Sequence, residues 1–495
     1  MRDIAARKRR VGGAGRRHRA TLPKVCGLAG VLLLLAGVDA CRRAAPPPIS
    51  SREAIDLKRP PAEWLREEPI RLLADYLRID TRADKGERAG ALFLKRLLDC
   101  DGIETELVCP SGNRCNLLAR LPGRTSEGAL LLLNHIDVAD AFPEYWKEAR
   151  PFEARIKNGY LYGRGSYDMK SLGLIEALAM RRLRRLGVVP STDILFLAEA
   201  DEEIGQKWGS RWLLAHRPEW FRGVRWVINE GGTTEMLLRT PRFWGVETVQ
   251  GGYASAEFEA PTRAAVERFA ERFPRVTGPS VEPHSHVVVA FEMLANHLSS
   301  PITEPMRHLD RVRKDPAELA ILPDRYGSFL EPRLHWSEPY VHPSSPDHVR
   351  RYVSVAVPPG IPPWPYLAPI VEAARKAGLT VLETLDSGPT KASAYPSAMT
   401  DLLERVTEAH FPGVPFGPVP GFGGFTTSII LRDAGMQVYG YSPIPMNISD
   451  AARRHWNDER VYLRDYLDGV ALFDDVLLEY ATSGAQELSP GSLKP

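Results

Sequence analysis

The chain has 495 residues, of which 44% are hydrophobic and 25% charged, as in soluble globular proteins, and this length predicts two or more domains. The formal net charge is +2, but residues 1–43 contain 11 Lys and Arg against two Asp, so the remainder of the chain is acidic. This distribution gives no compositional support to nucleic-acid binding.

Residues 1–41 have the pattern of an export leader. The basic segment RKRRVGGAGRRHR precedes the apolar run VCGLAGVLLLLAGV, which is shorter than the ~20 residues of a membrane-spanning helix. The run ends in Val38-Asp39-Ala40-Cys41, which resembles a bacterial lipobox and predicts lipidation of Cys41. A plainly cleaved signal and a retained anchor are the alternatives. We therefore expect an exported protein, periplasmic or on the cell surface, that meets the membrane only through its N-terminal lipid anchor.

Two shorter features follow the leader. Residues 42–60 contain RRAAPPPISS and predict an extended linker before the first domain. Cys109 and Cys115 are close enough in sequence to form a disulfide in an oxidising compartment, although two free, partly buried thiols are equally consistent with the sequence.

Residues 61–245 alternate between helical and strand-like patterns. Strands are predicted at TELVCP, NLLARLPG, GALLLLNHI, DILFLAEA and RWVIN, with a helix over about residues 171–186 and another near GSRWLLAHRP. This alternation predicts an α/β fold with a mixed, largely parallel sheet flanked by helices.

Residues 246–391 change in character. A strand-like stretch, VETVQGGYASAEFEA, leads to helices, a Pro-rich irregular stretch and further strands, so we predict a smaller inserted α+β domain, here called the lid. Residues 392–495 return to the earlier pattern and predict the second part of a discontinuous catalytic domain.

Acidic and imidazole side chains follow several predicted strands. His135 and Asp137 end one strand, and period-two geometry lets Asp137 accept a hydrogen bond from one ring nitrogen of His135. Each other candidate alone has an ordinary structural alternative, such as a helix N-cap, a solvated loop or a turn. These candidates are Asp168, Glu202, Glu203, Glu230 and His455.

The order of these segments resembles a known family. The chain is similar to the co-catalytic zinc amidohydrolases and exopeptidases that include acetylornithine deacetylase, succinyl-diaminopimelate desuccinylase, aminoacylase and glutamate carboxypeptidase. The likeness runs from Arg71 to Gly232 and returns between Gly421 and Val461. Its motifs are RIDTR, NLLARLPG, HIDV, LYGRGSYDMK, DEEIG, NEGG, GFGGFTTSIILRDAG, YGYSP and HWNDERV.

The resemblance implies a site with two divalent metal ions, zinc first, with cobalt or manganese as alternatives. Asp168 would bridge both ions, His135 and Glu230 would complete one site, and Glu203 and His455 the other. Glu202 would be the general base, with Asp137 supporting His135. A water between two cations, attacking an amide carbonyl, is the chemistry expected of such a set.

The lid departs from the family pattern. His284 in PHSHVVVAFEML is the candidate for a histidine that reaches the substrate, but an additional segment of about twenty residues precedes it. Two motifs expected to grip a substrate carboxylate lack their charged residues, at Ser354–Val357 and Thr426–Ile429. Arg432 is the local candidate to replace them.

The predicted function is therefore the hydrolysis of an amide bond in a small peptide or an N-acyl amino acid. The alternative is a lipoprotein that binds a ligand, contains metal and has no catalytic activity. Such a protein would not need a carboxylate that transfers protons at Glu202. A two-metal nuclease or phosphatase is disfavoured because no basic face is evident. The resemblance also leaves open a homodimer that forms through the lid.

Overall fold

The computed structural model describes residues 51–483 except 238, 277, 279, 280, 298–301, 343, 344, 422 and 423. The predicted leader, including Cys41, lies outside these residues. The strands are β1 (Glu104–Ser111), β2 (Arg114–Leu121), β3 (Ala129–His135), β4 (Arg155–Lys157), β5 (Tyr160–Tyr162), β6 (Ile194–Glu199), β7 (Val224–Asn229), β8 (Thr233–Leu237), β9 (Thr240–Gln250), β10 (Gly252–Ala260), β11 (Arg333–Trp336), β12 (Val349–Val357), β13 (Thr380–Asp386), β14 (Phe416–Gly421), β15 (Gln437–Gly440) and β16 (Arg460–Tyr462).

The α-helices surround these strands. They are α1 (Ser51–Lys58), α2 (Pro61–Trp64), α3 (Glu68–Leu77), α4 (Arg88–Asp99), α5 (Lys170–Arg185), α6 (Ser210–His216), α7 (Arg263–Glu271), α8 (Ser285–His297), α9 (Thr303–Arg307), α10 (Leu309–Val312), α11 (Pro316–Leu319), α12 (Asp324–Gly327), α13 (Trp364–Lys376), α14 (Ala398–His410), α15 (Thr427–Asp433), α16 (Ile448–Ala451) and α17 (Leu463–Thr482). None of the helices in the described part of the chain combines the length and the apolar character that a membrane span requires.

A nine-stranded central sheet has the order β1-β2-β6-β3-β7-β15-β9-β14, with β8 paired to β9. β6, β3, β7 and β15 run parallel, whereas β1 and β2 pair antiparallel at one edge. The sheet is covered on both faces: Leu130 and Leu132 of β3 pack in one core cluster, and Leu131 and Leu133 in another. The predicted mixed, largely parallel α/β sheet is confirmed, and β14 and β15 bring the C-terminal segment into it.

The boundary of the lid differs from the prediction. β9 pairs in parallel with β14 of the central sheet as far as Gln250, so residues 246–250 belong to that sheet. The lid has its own four-stranded sheet, β11-β12-β10-β13, which begins at Gly252. The apolar and polar alternation continues through the glycine pair Gly251-Gly252, which is why the sequence pattern read as one strand.

Part of the predicted lid packs elsewhere. Val287, Phe291 and Leu294 of α8 lie in one core cluster with Phe243 of β9 and Val419 of β14. The lid core is separate from this cluster, and one face of the lid sheet packs against α7 and α13 through Phe258, Phe269, Val353, Val355, Leu367 and Ile370. The segment from α8 to α12 therefore extends the central sheet's hydrophobic packing.

Two further predictions concern the chain before β3. The predicted extended linker over residues 42–60 is wrong from Ser51, where α1 begins, and Asp56 of this helix is buried and paired with Arg464. Cys109 and Cys115 are joined in a disulfide that links β1 to β2, which decides between the two alternatives that the sequence left open.

Candidate metal centre

The candidate site lies where parallel strands of the central sheet end. His135 is the last residue of β3, Glu202 and Glu203 follow β6, and Glu230 is the first residue after β7. The carboxyl ends of these strands meet at one edge because the strands are parallel neighbours. The sequence therefore places four of the candidate side chains together through strand pairing alone.

His135 is oriented by the residue two positions later. Its Nδ1 lies 2.9 Å from the backbone oxygen of Asp137, to which it donates, and this leaves Nε2 free to act as a ligand. The Asp137 carboxylate is 3.6 Å from Nδ1 and instead accepts the backbone N–H groups of Glu202, at 3.2 Å, and Glu203, at 2.9 Å. Asp137 thus supports the imidazole as expected, but its carboxylate holds the loop after β6.

Asp168 faces both histidines. Its Oδ1 lies 3.1 Å from His135 Nε2, and its Oδ2 lies 3.1 Å from His455 Nε2. Glu230 Oε1 lies 3.9 Å from His135 Nε2, and Glu203 Oε2 lies 3.1 Å from His455 Nε2. One carboxylate oxygen directed to each side is the arrangement that a bridging ligand requires.

His455 reaches this point from the other end of the chain. Its side chain is 57% exposed, and its backbone adopts the left-handed conformation, with φ of 59°. Such a conformation costs a non-glycine residue about 1–3 kcal/mol and persists where surrounding contacts enforce it. The loop is held locally by Asp458, which accepts the backbone N–H groups of Lys147 and Glu148.

Glu202 has a buried carboxylate oxygen that makes no hydrogen bond within the described part of the chain. Its side chain lines the cavity, is only 9% exposed, and its Oε1 has no hydrogen-bond partner among the described residues. Burial, followed by the charge of Glu230, raises the pKa of Glu202 well above its ordinary value. A raised pKa makes a carboxylate a stronger proton acceptor.

The other ionisable groups of the cluster shift one another's pKa values. Burial raises the pKa of Glu230 to about 8, and the charge of Asp168 adds to this effect. Burial also acts to raise the pKa of Asp168, but hydrogen bonds from His135 and His455 outweigh it and hold that pKa well below its usual range. The charge of Glu203 is the largest influence on His455 and raises its pKa well above the ordinary value. The carboxylates thus favour positive charge at both imidazole positions.

Glu459 is a buried residue of the site that sequence reasoning missed. Its Oε1 accepts the backbone N–H groups of Tyr167, at 2.8 Å, and Asp168, at 3.1 Å. Its Oε2 accepts from Gly165 N at 3.0 Å and Arg164 Nη1 at 2.6 Å. Glu459 therefore fixes the turn that carries Asp168. The sequence feature that could have indicated Glu459 is the acidic pair Asp458-Glu459 in HWNDERV, shortly after His455.

A cavity of 920 Å³ opens onto the cluster and extends to the lid sheet. Asp137, Asp168, Glu202, Glu203, Glu230 and His455 line it, together with lid residues. His284 and Arg432 are not among the described residues that line the cavity. His284 is half-buried beside His286 at the start of α8, and its Nδ1 accepts the backbone N–H of His286.

The Arg432 guanidinium points into the protein interior. It is 3% exposed, lies 3.2 Å from Glu247 Oε1, and donates to the backbone oxygen of Val438 at 2.8 Å. Arg432, the sequence-based candidate for a substrate contact, is therefore directed away from the cavity. A buried ion pair accounts for the residue instead.

The sequence profile of Peptidase family M20/M25/M40 matches residues 131–479, which include every residue of the cluster. The chain belongs to this family. Thus the family named from the sequence motifs is confirmed over most of the chain.

Curated relatives match a shorter stretch. "Probable succinyl-diaminopimelate desuccinylase" of Staphylococcus epidermidis is 34% identical over 140 residues, which cover 28% of this chain and 34% of that protein. "Aminoacylase-1" of Mus musculus is 35% identical over 171 residues, covering 33% of this chain and 40% of the relative. The matched region thus spans about a third of these relatives' length.

Solved structures resemble the whole fold. Human carnosine dipeptidase 1 has a TM-score of 0.64 at 16% identity, covering 87% of this chain and 100% of that one. The M20 family metallo-carboxypeptidase Sso-CP2 from Sulfolobus solfataricus has a TM-score of 0.63 at 15% identity, covering 84% of this chain and 100% of that one. At these identities the likeness establishes a shared fold.

The residues of the M20 cluster fit divalent cations. His135, Asp168 and Glu230 form one triplet, and Asp168, Glu203 and His455 form a second, with the ligand atoms of each triplet within 4.8 Å of one another. Nitrogen and oxygen donors without cysteine suit zinc-like ions in a reactive site. Cations bound there would polarise a carbonyl and activate water.

Proposed function

We propose that this M20 family protein hydrolyses an amide bond in a small peptide or an N-acyl amino acid. Two divalent cations, zinc in the first instance, would be held by the two triplets that share Asp168. Glu202 would act as the general base that takes a proton from water and passes it to the leaving nitrogen.

The unpartnered Oε1 of Glu202 is the observation that carries this proposal. A buried carboxylate oxygen without a hydrogen bond is costly, and a protein that only stores or senses metal has no need of it. Its place beside both triplets, on the wall of a cavity, is the place where a proton acceptor is needed.

Replacing Glu202 tests the proposal. We expect Glu202→Gln to bind the same amount of zinc as the wild type, because Glu202 belongs to neither triplet. We expect its kcat to fall roughly 10²–10⁴-fold, because a neutral amide cannot accept the proton. The measurement is turnover of a panel of dipeptides and N-acyl amino acids, with metal analysis of both proteins.

Glu127→Gln is the matched control, because Glu127 is exposed near the opposite end of β3 and should leave turnover unchanged. Near-normal turnover of Glu202→Gln with zinc bound would refute the role of Glu202. Absence of hydrolysis across the whole panel by the zinc-loaded wild type would refute the proposed function.

We further propose that the protein is exported and tethered by a lipid on Cys41. The support is the lipobox-like end of the leader at residues 38–41. We expect Cys41→Ser to move the protein from the membrane fraction to the soluble fraction of cells. Unchanged membrane fractionation of Cys41→Ser would instead support an uncleaved apolar anchor.

A further inference from the structure

The lid sheet turns a polar face toward the cavity. Tyr253, Ser255 and Glu257 alternate along β10 and all line the cavity, whereas Ala254 and Phe258 carry their side chains into the lid core. Successive side chains of a strand point to opposite faces of the sheet, so one face of β10 packs in the lid core and the other faces the cavity. The polar face of the lid sheet thus forms one wall of the M20 cavity, and this wall is open to solvent at Glu383.

Two glutamates stand directly opposite each other on this wall. Glu257 of β10 is the cross-strand partner of Glu383 of β13, and its partner on the other side is Tyr352 of β12. Like charges in directly opposed positions of an antiparallel pair destabilise a sheet. A positive charge close to both carboxylates would therefore reduce their repulsion.

The protein supplies only part of that charge. Arg350 lies 3.2 Å from Glu257 Oε2 but also 3.0 Å from Glu259 Oε2, so one guanidinium serves two carboxylates. Glu257 also accepts a hydrogen bond from Tyr340. Glu383 has no hydrogen bond or ion pair with any described residue and lines the cavity. The wall thus keeps an excess of negative charge at Glu383.

Aromatic rings surround the same carboxylates. Tyr253, Tyr340 and Tyr352 line the cavity, and the hydroxyls of Tyr253 and Tyr352 hydrogen-bond to each other. Aromatic faces attract ammonium and guanidinium groups, and the attraction strengthens when water is excluded. Carboxylate and aromatic groups on one wall therefore favour the same class of ligand, a cation.

This wall is close to the loop after β6 that carries Glu202 and Glu203. A Cβ placed on Gly205, two residues beyond Glu203, would lie 3.9 Å from Glu383 Oε1 and 3.7 Å from Leu385. The unpartnered and nine-tenths buried Glu202 lines the same cavity. Glu383 and residues of the candidate metal centre therefore line one cavity.

We propose that the substrate carries a cationic group, an ammonium or a guanidinium, which Glu383 binds with Glu257 and Tyr352 while the scissile amide lies at the metal centre. This inference rests on the proposed amide hydrolysis and adds the class of substrate. Glu383 selects positive charge because its carboxylate has no ion pair within the described part of the chain, and the neighbouring tyrosine faces attract the same charge.

The test compares arginine with citrulline, which has nearly the same shape without the charge. The compounds are N-acetyl-arginine and N-acetyl-citrulline, with the dipeptides Ala-Arg, Ala-citrulline, Arg-Ala and citrulline-Ala to place the charge on either side of the amide. For the zinc-loaded wild type we expect kcat/KM to favour arginine roughly 10-fold or more in at least one pair, as for hydrogen bonds to charged groups.

Glu383→Gln should reduce this arginine-to-citrulline ratio to near one, and Glu383→Lys should reverse the charge preference when N-acetyl-glutamate is compared with N-acetyl-glutamine. Glu372→Gln is the matched control, because Glu372 is exposed on the lid helix α13 and does not line the cavity; it should retain the wild-type ratio. Thermal melting of each variant verifies folding.

Equal turnover of arginine and citrulline in every pair would overturn the inference and leave the proposed function standing. An arginine preference that persists in Glu383→Gln would also overturn it, because the charge would then be recognised elsewhere. If none of the six compounds, nor any member of the wider amide panel, is hydrolysed, the proposed function fails and the inference fails with it.

Discussion

At the scale of single residues, Glu459 shows how a side chain that touches no ligand atom can define a metal site. It accepts the backbone N–H of Asp168 and the guanidinium of Arg164, and it is completely buried. The position of Asp168 therefore depends on the charge of Glu459. Residues that orient metal ligands in this way commonly contribute 10–100-fold to metal affinity.

We expect Glu459→Gln to weaken zinc binding roughly 10–100-fold, because an amide of the same shape cannot accept from all four donors. Zinc affinity is measured by competition with a chelator, on protein that thermal melting shows to be folded. Glu479→Gln is the control, since Glu479 pairs with Arg405 on the surface. Unchanged zinc affinity in folded Glu459→Gln would contradict the positioning role.

The sequence located the residues that stand at strand ends but not those that act through buried contacts. His135, Glu202, Glu203 and Glu230 follow strongly apolar strands, so pattern and chemistry indicate the same positions. Arg432 was assigned to the substrate because it follows a Gly-rich loop in sequence. The direction of its side chain is set by Glu247, a residue of a distant strand, and no local pattern carries that information.

At the scale of elements, the ion pair of Arg432 and Glu247 connects α15 to β9. Both side chains are almost fully buried, and Glu247 lies beneath the turn after Glu230, where its Oε2 would be 2.6 Å from a Cβ on Gly231. Burial raises the pKa of Glu247 to about 7 although Arg432 opposes this shift. The pair thus supports the edge of the sheet that carries the metal ligands.

We expect Arg432→Met to lower the free energy of unfolding by about 3–5 kcal/mol, because it leaves Glu247 buried without its partner. The double variant Arg432→Met/Glu247→Met should recover much of this loss, since apolar side chains of similar volume replace a buried pair at little cost. Urea denaturation measures both.

Arg405→Met is the control for losing an arginine, because its pair with Glu479 is exposed, and it should cost less than about 1 kcal/mol. A single Arg432→Met variant as stable as the double variant would show that Glu247 does not need its partner.

In the lid, the sequence predicts the types of the secondary-structure elements but not the sheet to which each strand belongs. Strand and helix types were recognised from their periodicity, but β9 and β10 belong to different sheets although one alternating pattern runs through both. Sheet membership depends on β14, which pairs with β9 from more than 160 residues away, at Phe416 with Trp244. Pairing across such a distance is a property of the folded chain and leaves no local signal.

At the scale of the whole molecule, the metal centre closes only when both ends of the catalytic domain meet. His455 and Asp168 are 287 residues apart, and Glu459 bonds to the turn that carries Asp168 across a similar interval. The lid inserted between them supplies the opposite wall of the cavity. The order of motifs predicts such a discontinuous catalytic domain, because His455 must meet the first half of the chain to complete the candidate metal site.

In the proposed function, amide hydrolysis requires two cations that share Asp168 as a ligand. Zinc is titrated into chelator-treated protein while turnover of a hydrolysed N-acetyl amino acid is followed, and bound zinc is counted in the same samples. We expect turnover to be lost without zinc and to reach its maximum at about two zinc ions per chain, as the two triplets require. Undiminished turnover after removal of the metal, or full turnover with a single ion bound, would contradict this account.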